Sequence, residues 1–405
     1  MLTHLGDMPV ETFLKDYWQQ KPLLIRQAFP DFESPLDADE IAGLALEQAV
    51  ESRLIVEKPK NNQASSWQLE CGPFKDADFA KLPPSHWTLL VQAVDHYVPE
   101  VAALLDEFRF IPNWRLDDVM VSYAPNGGSV GPHFDYYDVF LLQAAGKRRW
   151  QTGQVCSADS PRLKDTPLSI LQKFAGQQDW VLEPGDMLYL PPQLAHWGVA
   201  KGDGCTTYSF GFRAPSHADI LTEVAQDISS TLSNDQRYTD PGLILQDNPG
   251  EISDAAIAQL KAIVQQHLDN PAALADWLGR TMTEGKYSQD NEHESEQSEQ
   301  WQGDDWLEVV SDGADIERNM GARFAYRQPD KNNAKQAHLY VDGTAYACDL
   351  LLAQQLCQQT RFNAEQLFDL SDTQHNIITE LLNNGSLCID EGDLELSDEA
   401  ADDKD

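Results

Sequence analysis

The sequence predicts an α+β protein organised around a jelly-roll β-barrel, with helices on either side of the barrel region. Between about residues 110 and 213, short apolar runs alternate with Gly, Pro and Asn turn signals. This texture is typical of many short strands that close into a barrel or jelly roll. Before and after this region the apolar residues recur at helical spacing. A second mixture of strand and helix patterns follows at about 304–390.

Residues 1–215 are predicted to form one domain, an N-terminal segment followed by the barrel. Within that segment, residues 11–26 predict a short amphipathic helix that runs into a strand. Pro22 ends the helix because proline lacks the backbone N–H that a helix interior needs. Further helical patterns cover residues 36–51 and 85–109.

The second half of the chain predicts four further regions. Residues 216–282 have helical periodicity, with apolar faces that could pack within the chain or against a second subunit. Residues 283–303 are acidic and rich in Ser and Gln, which is typical of a linker. A small α+β unit is predicted at 304–390. The strongly acidic tail, 391–405, is expected to be disordered.

The charge balance bears on the partners and the compartment. A net charge of −37 repels phosphate backbones, so we expect no direct nucleic-acid partner, whereas a basic protein would be attracted. No apolar run is long enough to span a membrane, and the N-terminus lacks a signal pattern, so a cytoplasmic location is predicted. The six cysteines form no C-x-x-C pair, which argues against a disulfide framework or a zinc knuckle.

Three residues of the barrel region form a candidate metal site. His133 and Asp135 lie two apart in a run with a strand pattern, so their side chains should point to the same face. His196 follows a turn, a short strand and a Pro-Pro pair, which should present it at the barrel mouth. Two histidines and one carboxylate make the facial triad of non-haem Fe(II) oxygenases, which leaves coordination positions open for O₂ and a co-substrate.

A His-x-Asp pair alone is weak evidence, because the sequence contains two more. His267-Leu-Asp269 lies in a helical pattern, where residues two apart point in different directions. His217-Ala-Asp219 begins a predicted helix, where an acidic residue more often has a capping role. The strand context and the downstream histidine therefore distinguish the first pair.

Two barrel segments, GPHFDYYDVFLLQAAGKRRW and EPGDMLYLPPQLAHWG, resemble the JmjC-type cupin hydroxylases, and so does the opening segment FLKDYWQQKPLLIR. Within that family the sequence resembles the bacterial ribosomal oxygenases, the arginine hydroxylases of the YcfD type. The resemblance covers the whole chain and is most specific in the barrel. It implies a double-stranded β-helix (cupin) JmjC barrel, a helical dimerisation region at 216–282 that forms a homodimer, and a C-terminal winged-helix-like domain.

The resemblance also implies that the three candidate ligands bind Fe(II), with 2-oxoglutarate as co-substrate and O₂ as oxidant. The distal carboxylate of 2-oxoglutarate needs a cation inside the barrel, and the candidates are Lys147, Arg148 and Arg149. Matching to the family motif selects Arg148, and a guanidinium suits a planar carboxylate. Ser122 matches a serine that can share that carboxylate.

Strand alternation also predicts which side chains contact the substrate. If Ser122 faces inward, so does Asp118, which could meet a cationic substrate. Tyr137 has the parity of the candidate ligands, and Ser209 lies on the last predicted barrel strand. We predict that Asp118, Tyr137 and Ser209 hold a substrate guanidinium. The resemblance implies 3-hydroxylation of an arginine in large-subunit ribosomal protein sixteen, a basic client, with release of succinate and CO₂.

Other functions are compatible with parts of the sequence. A cupin with three histidines and one glutamate would need histidine in place of Asp135. The same chemistry on another residue would make a histidine hydroxylase or a lysyl demethylase, and the side chains near Asp118 and Tyr137 would decide. A non-catalytic acidic binding protein with a vestigial metal site is disfavoured by the intact triad and Arg148. The acidic 304–390 unit favours client docking or assembly over DNA binding.

Overall fold

The structure of the protein is a computed structural model that describes residues 1–60, 63–287, 300–329, 335–368 and 370–390. Its contacts divide the chain into two compact units. The first comprises residues 1–214 with Lys286 and Tyr287, and the second comprises 215–285 with the described residues from 300 onwards. No helix among the described residues is long and apolar enough to cross a membrane. The predicted tail and most of the predicted linker lie outside the described residues.

The first unit is dominated by one nine-stranded antiparallel sheet with strand order β3-β10-β8-β11-β7-β6-β4-β5 and β9 added beside β8. Its elements, in chain order, are β1 (His4–Leu5), β2 (Met8–Pro9), α1 (Val10–Asp16), β3 (Leu23–Ile25), α2 (Ala38–Leu44), β4 (Ser52–Lys60), β5 (Gln63–Cys71), α3 (Asp76–Phe79), β6 (Trp87–Val91), α4 (Pro99–Leu105), β7 (Leu116–Ala124), β8 (Val139–Val155), β9 (Gln178–Leu182), β10 (Met187–Leu190) and β11 (Leu194–Phe212).

The two longest strands, β8 and β11, pair along most of their length and shift register at three places. Bulges of this kind bend a sheet, which lets one sheet supply opposite walls of a barrel. Side chains on β8 alternate accordingly. On one face of β8, Phe140 and Leu142 belong to the main hydrophobic core, together with Phe13 of α1. On the opposite face, Val139 and Leu141 line a cavity. The predicted α+β barrel is confirmed.

The helical pattern predicted over 85–109 is wrong in its first part. Trp87–Val91 form β6, which pairs with β4 on one side and β7 on the other. A short apolar run cannot be distinguished from a buried helix by periodicity alone, and the neighbouring strands decide the outcome. The helix at Pro99–Leu105 agrees with the prediction. The hairpin between β4 and β5 was not predicted.

The second unit combines helices with two three-stranded sheets, β16-β12-β17 and β13-β14-β15. Its elements are α5 (His217–Ser230), α6 (Asp254–Leu268), α7 (Pro271–Thr283), α8 (Trp306–Ser311), β12 (Asp315–Arg318), β13 (Phe324–Arg327), β14 (Gln336–Val341), β15 (Thr344–Asp349), α9 (Leu350–Gln358), β16 (Arg361–Phe362), α10 (Ala364–Leu367), α11 (Asp372–Asn383) and β17 (Leu387–Asp390).

Helix α7 packs against a sheet of the second unit. A Cβ atom placed on Gly279 would lie 2.5 Å from the ring of Tyr340 on β14, so only glycine permits this approach. Trp306 is fully buried and donates its indole N–H to Thr379 on α11. The contacts thus join the helical region to the C-terminal sheets as one unit, and the division predicted at 216–282 and 304–390 stays a prediction.

Candidate metal centre

The three predicted metal ligands meet at one point of the barrel, although not in the expected strand context. His133 and Asp135 precede β8, which begins only at Val139, so their placement inside a strand was wrong. Instead, His133 forms an isolated backbone bridge with His196 on β11. The His133 N–H donates to the His196 carbonyl at 3.0 Å, and the His196 N–H donates to the His133 carbonyl at 2.8 Å. Gly131, with φ +81°, breaks the extended run just before the bridge.

The ligand atoms are close enough to share one ion. The two Nε2 atoms of His133 and His196 are 3.1 Å apart. An Asp135 carboxylate oxygen lies 3.5 Å from Nε2 of His196 and 4.0 Å from Nε2 of His133. In the part of the chain that the structure describes, this is the one group of three His, Cys, Asp or Glu residues with such spacing.

Hydrogen bonds on the far side of each ring fix the tautomers needed for a metal. Nδ1 of His133 lies 2.9 Å from the Gly131 carbonyl, and Nδ1 of His196 lies 3.0 Å from the Leu194 carbonyl. A carbonyl oxygen accepts a hydrogen bond from Nδ1–H, which leaves the lone pair on Nε2, so the Nε2 lone pairs of the two rings face each other. Burial, with His133 nearby, lowers the pKa of His196 to about 4, so its ring stays neutral. Two facing lone pairs are stabilised by a cation between them.

The ligands lie in the wall of a cavity of about 440 Å³. Arg148 lines the same cavity and is 3% exposed. One guanidinium nitrogen lies 3.4 Å from Ser122 Oγ, and Nε has no hydrogen-bond partner. Among the described residues, no carboxylate lies within ion-pair distance of this guanidinium. Burying an uncompensated cation is costly, so the site is suited to an anionic ligand.

The other two candidate cations point away from the cavity. Lys147 pairs with Glu183, and Arg149 pairs with Asp179, all at exposed positions. Alternation along β8 therefore directs only the middle residue of the Lys-Arg-Arg run inward. This placement agrees with the choice of Arg148 made from the family motif.

Sequence reasoning missed further polar residues of the cavity. Thr88 on β6 and Trp150 on β8 each bury a polar atom that has no partner. Together with Arg148 Nε, they give three unsatisfied polar atoms in one cavity, where buried polar groups are normally paired. Thr88 was missed because β6 read as part of a helical pattern. These donors, beside a cluster of metal ligands, fit an acidic co-substrate.

The predicted substrate residues Asp118, Tyr137 and Ser209 line the same cavity. Asp118 is buried, and its Oδ2 accepts from Gln92 Nε2 at 2.6 Å and from the Ala93 backbone N–H at 3.0 Å. Tyr137 is 44% exposed, and the nearby Asp135 carboxylate raises its pKa, so its hydroxyl stays protonated. The inward direction expected for Asp118 and Ser122 thus agrees with the cavity lining.

The remaining His-x-Asp pairs do not contribute to a metal cluster among the described residues. Ser216 caps α5 through the Asp219 backbone N–H, and the Asp219 carboxylate accepts from Ser216 in return. This capping box is the role expected for that pair. His267 lies in the last turn of α6.

Comparisons with known proteins agree with both units. A family model described as a JmjC domain matches residues 103–220, and one described as a ROXA-like winged helix matches residues 266–388. The second match begins within α6, as expected if α7 belongs with the C-terminal sheets. The predicted cupin barrel and winged-helix-like domain are therefore confirmed.

Individual relatives extend the likeness. The ribosomal protein uL16 3-hydroxylase of Escherichia coli (strain K12) is 34% identical over 278 residues, which are 69% of this chain and 72% of the relative. A probable ribosomal oxygenase of Haemophilus influenzae is 42% identical over 217 residues, 53% of this chain and 52% of that relative. The solved structure of the Escherichia coli ribosomal oxygenase YcfD in complex with cobalt and 2-oxoglutarate is 30% identical, with a TM-score of 0.80, and covers 96% of this chain and 99% of its own. The chain therefore belongs to the ribosomal oxygenase family of JmjC-domain proteins.

Proposed function

We propose that the protein is an Fe(II)- and 2-oxoglutarate-dependent hydroxylase that 3-hydroxylates an arginine of large-subunit ribosomal protein uL16. The observation that carries the proposal is one cavity that contains both the His133, Asp135 and His196 cluster and the buried guanidinium of Arg148, which has no carboxylate partner among the described residues. The likeness to a uL16 3-hydroxylase and to a structure containing cobalt and 2-oxoglutarate supports it.

Each of the three residues would supply one ligand atom to the metal. His133 and His196 would bind Fe(II) through Nε2, and Asp135 would bind it through a carboxylate oxygen that offsets part of the metal charge. A facial triad leaves the remaining coordination positions for 2-oxoglutarate and O₂. When bound, this assembly supplies the oxidising power to insert one oxygen atom into a C–H bond while 2-oxoglutarate becomes succinate and CO₂.

The chain itself orients the co-substrate. Arg148 presents its buried guanidinium to the distal carboxylate, and Ser122 Oγ, 3.4 Å from the guanidinium, adds a second polar contact. Charge-assisted bonds of this kind are stronger than neutral ones, and a bidentate pair also fixes orientation. The apolar side chains of Val139 and Leu141 line the same cavity.

At another part of the cavity, Asp118 supplies the negative charge that a client arginine requires. Its carboxylate is held by Gln92 and the Ala93 backbone N–H, so it is oriented before the client arrives. Tyr137 and Ser209 offer hydroxyl groups in the same cavity. The net charge of −37 favours association with a basic ribosomal protein.

The activity can be tested by measuring succinate release with Fe(II), 2-oxoglutarate, O₂ and a uL16 peptide that contains the client arginine. We expect succinate release that depends on the client peptide and stops when Fe(II) is chelated. Peptides with lysine or histidine in place of the arginine should be poor substrates. No turnover with any basic client would contradict the hydroxylase, and equal turnover of the lysine or histidine peptide would contradict the arginine target.

Substituting Asp118 by asparagine should weaken client use specifically. Loss of one hydrogen-bonded ion pair of about 1.5–3 kcal/mol corresponds to a peptide KM raised roughly 10- to 100-fold. The KM for 2-oxoglutarate should not change, because Arg148 holds that ligand. Steady-state kinetics with each substrate varied in turn would measure both values.

Asp179→Asn provides the matched control, since it removes the same charge at an exposed position outside the cavity lining. If Asp118→Asn changes the peptide KM no more than this control does, Asp118 does not hold the client cation.

The second unit supports a homodimer. Helix α6 has no buried residue, and its apolar side chains Ile257, Leu260 and Val264 are 53%, 53% and 47% exposed. Residues three and four apart lie on one helix face, so these three form an uncovered apolar stripe. Exposed stripes of this kind mark association surfaces. We therefore infer that the region 216–282 forms a homodimer, as the family resemblance implies.

Leu260→Asp should convert the dimer to a monomer, because it places a charge at the centre of the stripe. Size-exclusion chromatography with light scattering would measure the mass. Ala262→Asp is the matched control: it puts the same charge in the same exposed helix, about 160–170° from the centre of the stripe. An unchanged mass for Leu260→Asp would contradict this interface.

Two further proposals concern the cellular location of the protein and its binding to nucleic acid. We propose that the protein works in the cytoplasm and does not bind nucleic acid directly. The strongly negative net charge supports the second statement. The winged-helix unit is then better suited to client docking or assembly than to DNA.

A further inference from the structure

The buried carboxylate of Asp118 already carries a cation from its own chain. Lys286 Nζ lies 2.9 Å from Asp118 Oδ2 and 3.1 Å from Asp117 Oδ2. The Lys286 side chain is 21% exposed and lines the cavity that also contains the metal ligands. The residue follows α7, which ends at Thr283, and belongs with the barrel unit.

Electrostatics explains why a cation is needed there. The Asp118 side chain is 5% exposed, and within the described part of the chain its other hydrogen bonds come from two neutral donors, Gln92 and the Ala93 backbone. A buried carboxylate without a counterion is costly, so Lys286 compensates Asp118 while no client is bound. The other two cations of the cavity lining have different partners: Arg148 donates to Ser122, and the Arg53 guanidinium donates to the Gln92 side-chain oxygen at 3.0 Å.

A lysine is well suited to a temporary role at this position. Its ammonium is a strongly hydrated point charge on a flexible stem, whereas a guanidinium is planar and binds a carboxylate with two parallel hydrogen bonds. A client arginine therefore gains more from Asp118 than Lys286 does. Lys286 also retains a second carboxylate partner, Asp117, when it leaves Asp118.

We propose that Lys286 is a resident substitute for the client cation and is displaced from Asp118 when the client guanidinium enters. This inference rests on the proposed function, because it assumes that Asp118 receives the client. It makes Lys286 a specificity-determining residue. A neutral client residue cannot replace the ion pair, so its entry would leave Asp118 buried and uncompensated.

Peptide binding under anaerobic conditions tests the inference without turnover. The probes are a uL16 peptide with the client arginine and the same peptide with neutral citrulline, measured by calorimetry on full-length protein with Fe(II) and 2-oxoglutarate. Lys286→Met should lower the Kd of the arginine peptide by about 3- to 10-fold, because the competitor is removed. Lys286→Arg should raise that Kd, since a guanidinium on Asp118 is harder to displace.

Lys81→Met is the matched control, because it removes one exposed positive charge and lies outside this cavity lining. Any gain of Lys286→Met must exceed the gain of this control, which reports only the more negative surface. The ratio of arginine to citrulline affinities should also rise in Lys286→Met. Thermal unfolding of each variant verifies that the fold is kept, and Lys286→Arg provides an independent reading if Lys286→Met is unstable.

The outcomes separate the inference from the proposed function. If Asp118→Asn weakens the arginine peptide while both Lys286 variants bind as wild type does, the displacement is wrong and the client site stands. Weaker binding by Lys286→Met would also overturn it, since Lys286 would then be a permanent clamp. If Asp118→Asn itself leaves peptide binding unchanged, Asp118 does not hold the client arginine, and the proposed client site is wrong.

Discussion

Replacing His133 by alanine is expected to abolish metal-dependent turnover while leaving the barrel folded. The variant retains two of the three candidate ligands, His196 and Asp135. Loss of a residue that only orients a metal ligand typically costs about 10–100-fold in metal affinity or activity, and loss of a ligand itself should cost more. Isothermal titration with Fe(II) or Co(II) would measure the affinity, and succinate release would measure the turnover.

The fold should survive this substitution for a specific reason. The His133 side chain is 24% exposed, and the bridge to His196 uses backbone atoms that alanine keeps. The melting temperature should therefore remain close to that of the parent protein. His217→Ala is the matched control, because His217 also begins a His-x-Asp pair but stands at the start of α5. Metal affinity that is equal in both variants would contradict the assignment.

Replacing Arg148 by methionine should separate co-substrate binding from stability. Two charge-assisted hydrogen bonds are worth about 3 kcal/mol together, so the Kd for 2-oxoglutarate should rise roughly 100-fold. The ligand-free protein should be as stable as the parent or more stable, because the variant removes a buried cation that has no counterion among the described residues. The rise in melting temperature that 2-oxoglutarate gives to the parent should disappear.

Arg149→Met is the control for this result. It removes the same group from the neighbouring residue, whose guanidinium pairs with exposed Asp179 on the outside. It should leave the Kd for 2-oxoglutarate unchanged. If Arg148→Met also leaves that Kd unchanged, the anchoring role is wrong, whatever happens to the stability.

Much of the candidate site was predictable because it depends on local rules. Alternation along β7 placed Asp118 and Ser122 on one face, and the same rule on β8 turns Arg148 inward and Arg149 outward. The strand context of the metal pair failed because only the isolated bridge between His133 and His196 forms before β8 begins at Val139. The ligands nevertheless converge, since that bridge joins the two histidines directly.

Other parts of the site depend on contacts that no local pattern encodes. Lys286 meets Asp117 across 169 positions of sequence, and nothing in its neighbourhood distinguishes it from an ordinary linker lysine. Thr88 lies on β6, whose apolar run could be helix or strand until β4 and β7 pair with it. Contacts between segments far apart in the sequence decided both outcomes.

The most direct test of the account is mass spectrometry of uL16 after incubation with the protein, Fe(II), 2-oxoglutarate and O₂. We expect one added oxygen atom, located by fragmentation on a single arginine side chain and matched by an equal amount of succinate. Neither product should form with His133→Ala. An unmodified client, or oxygen placed on a histidine or lysine instead, would contradict it.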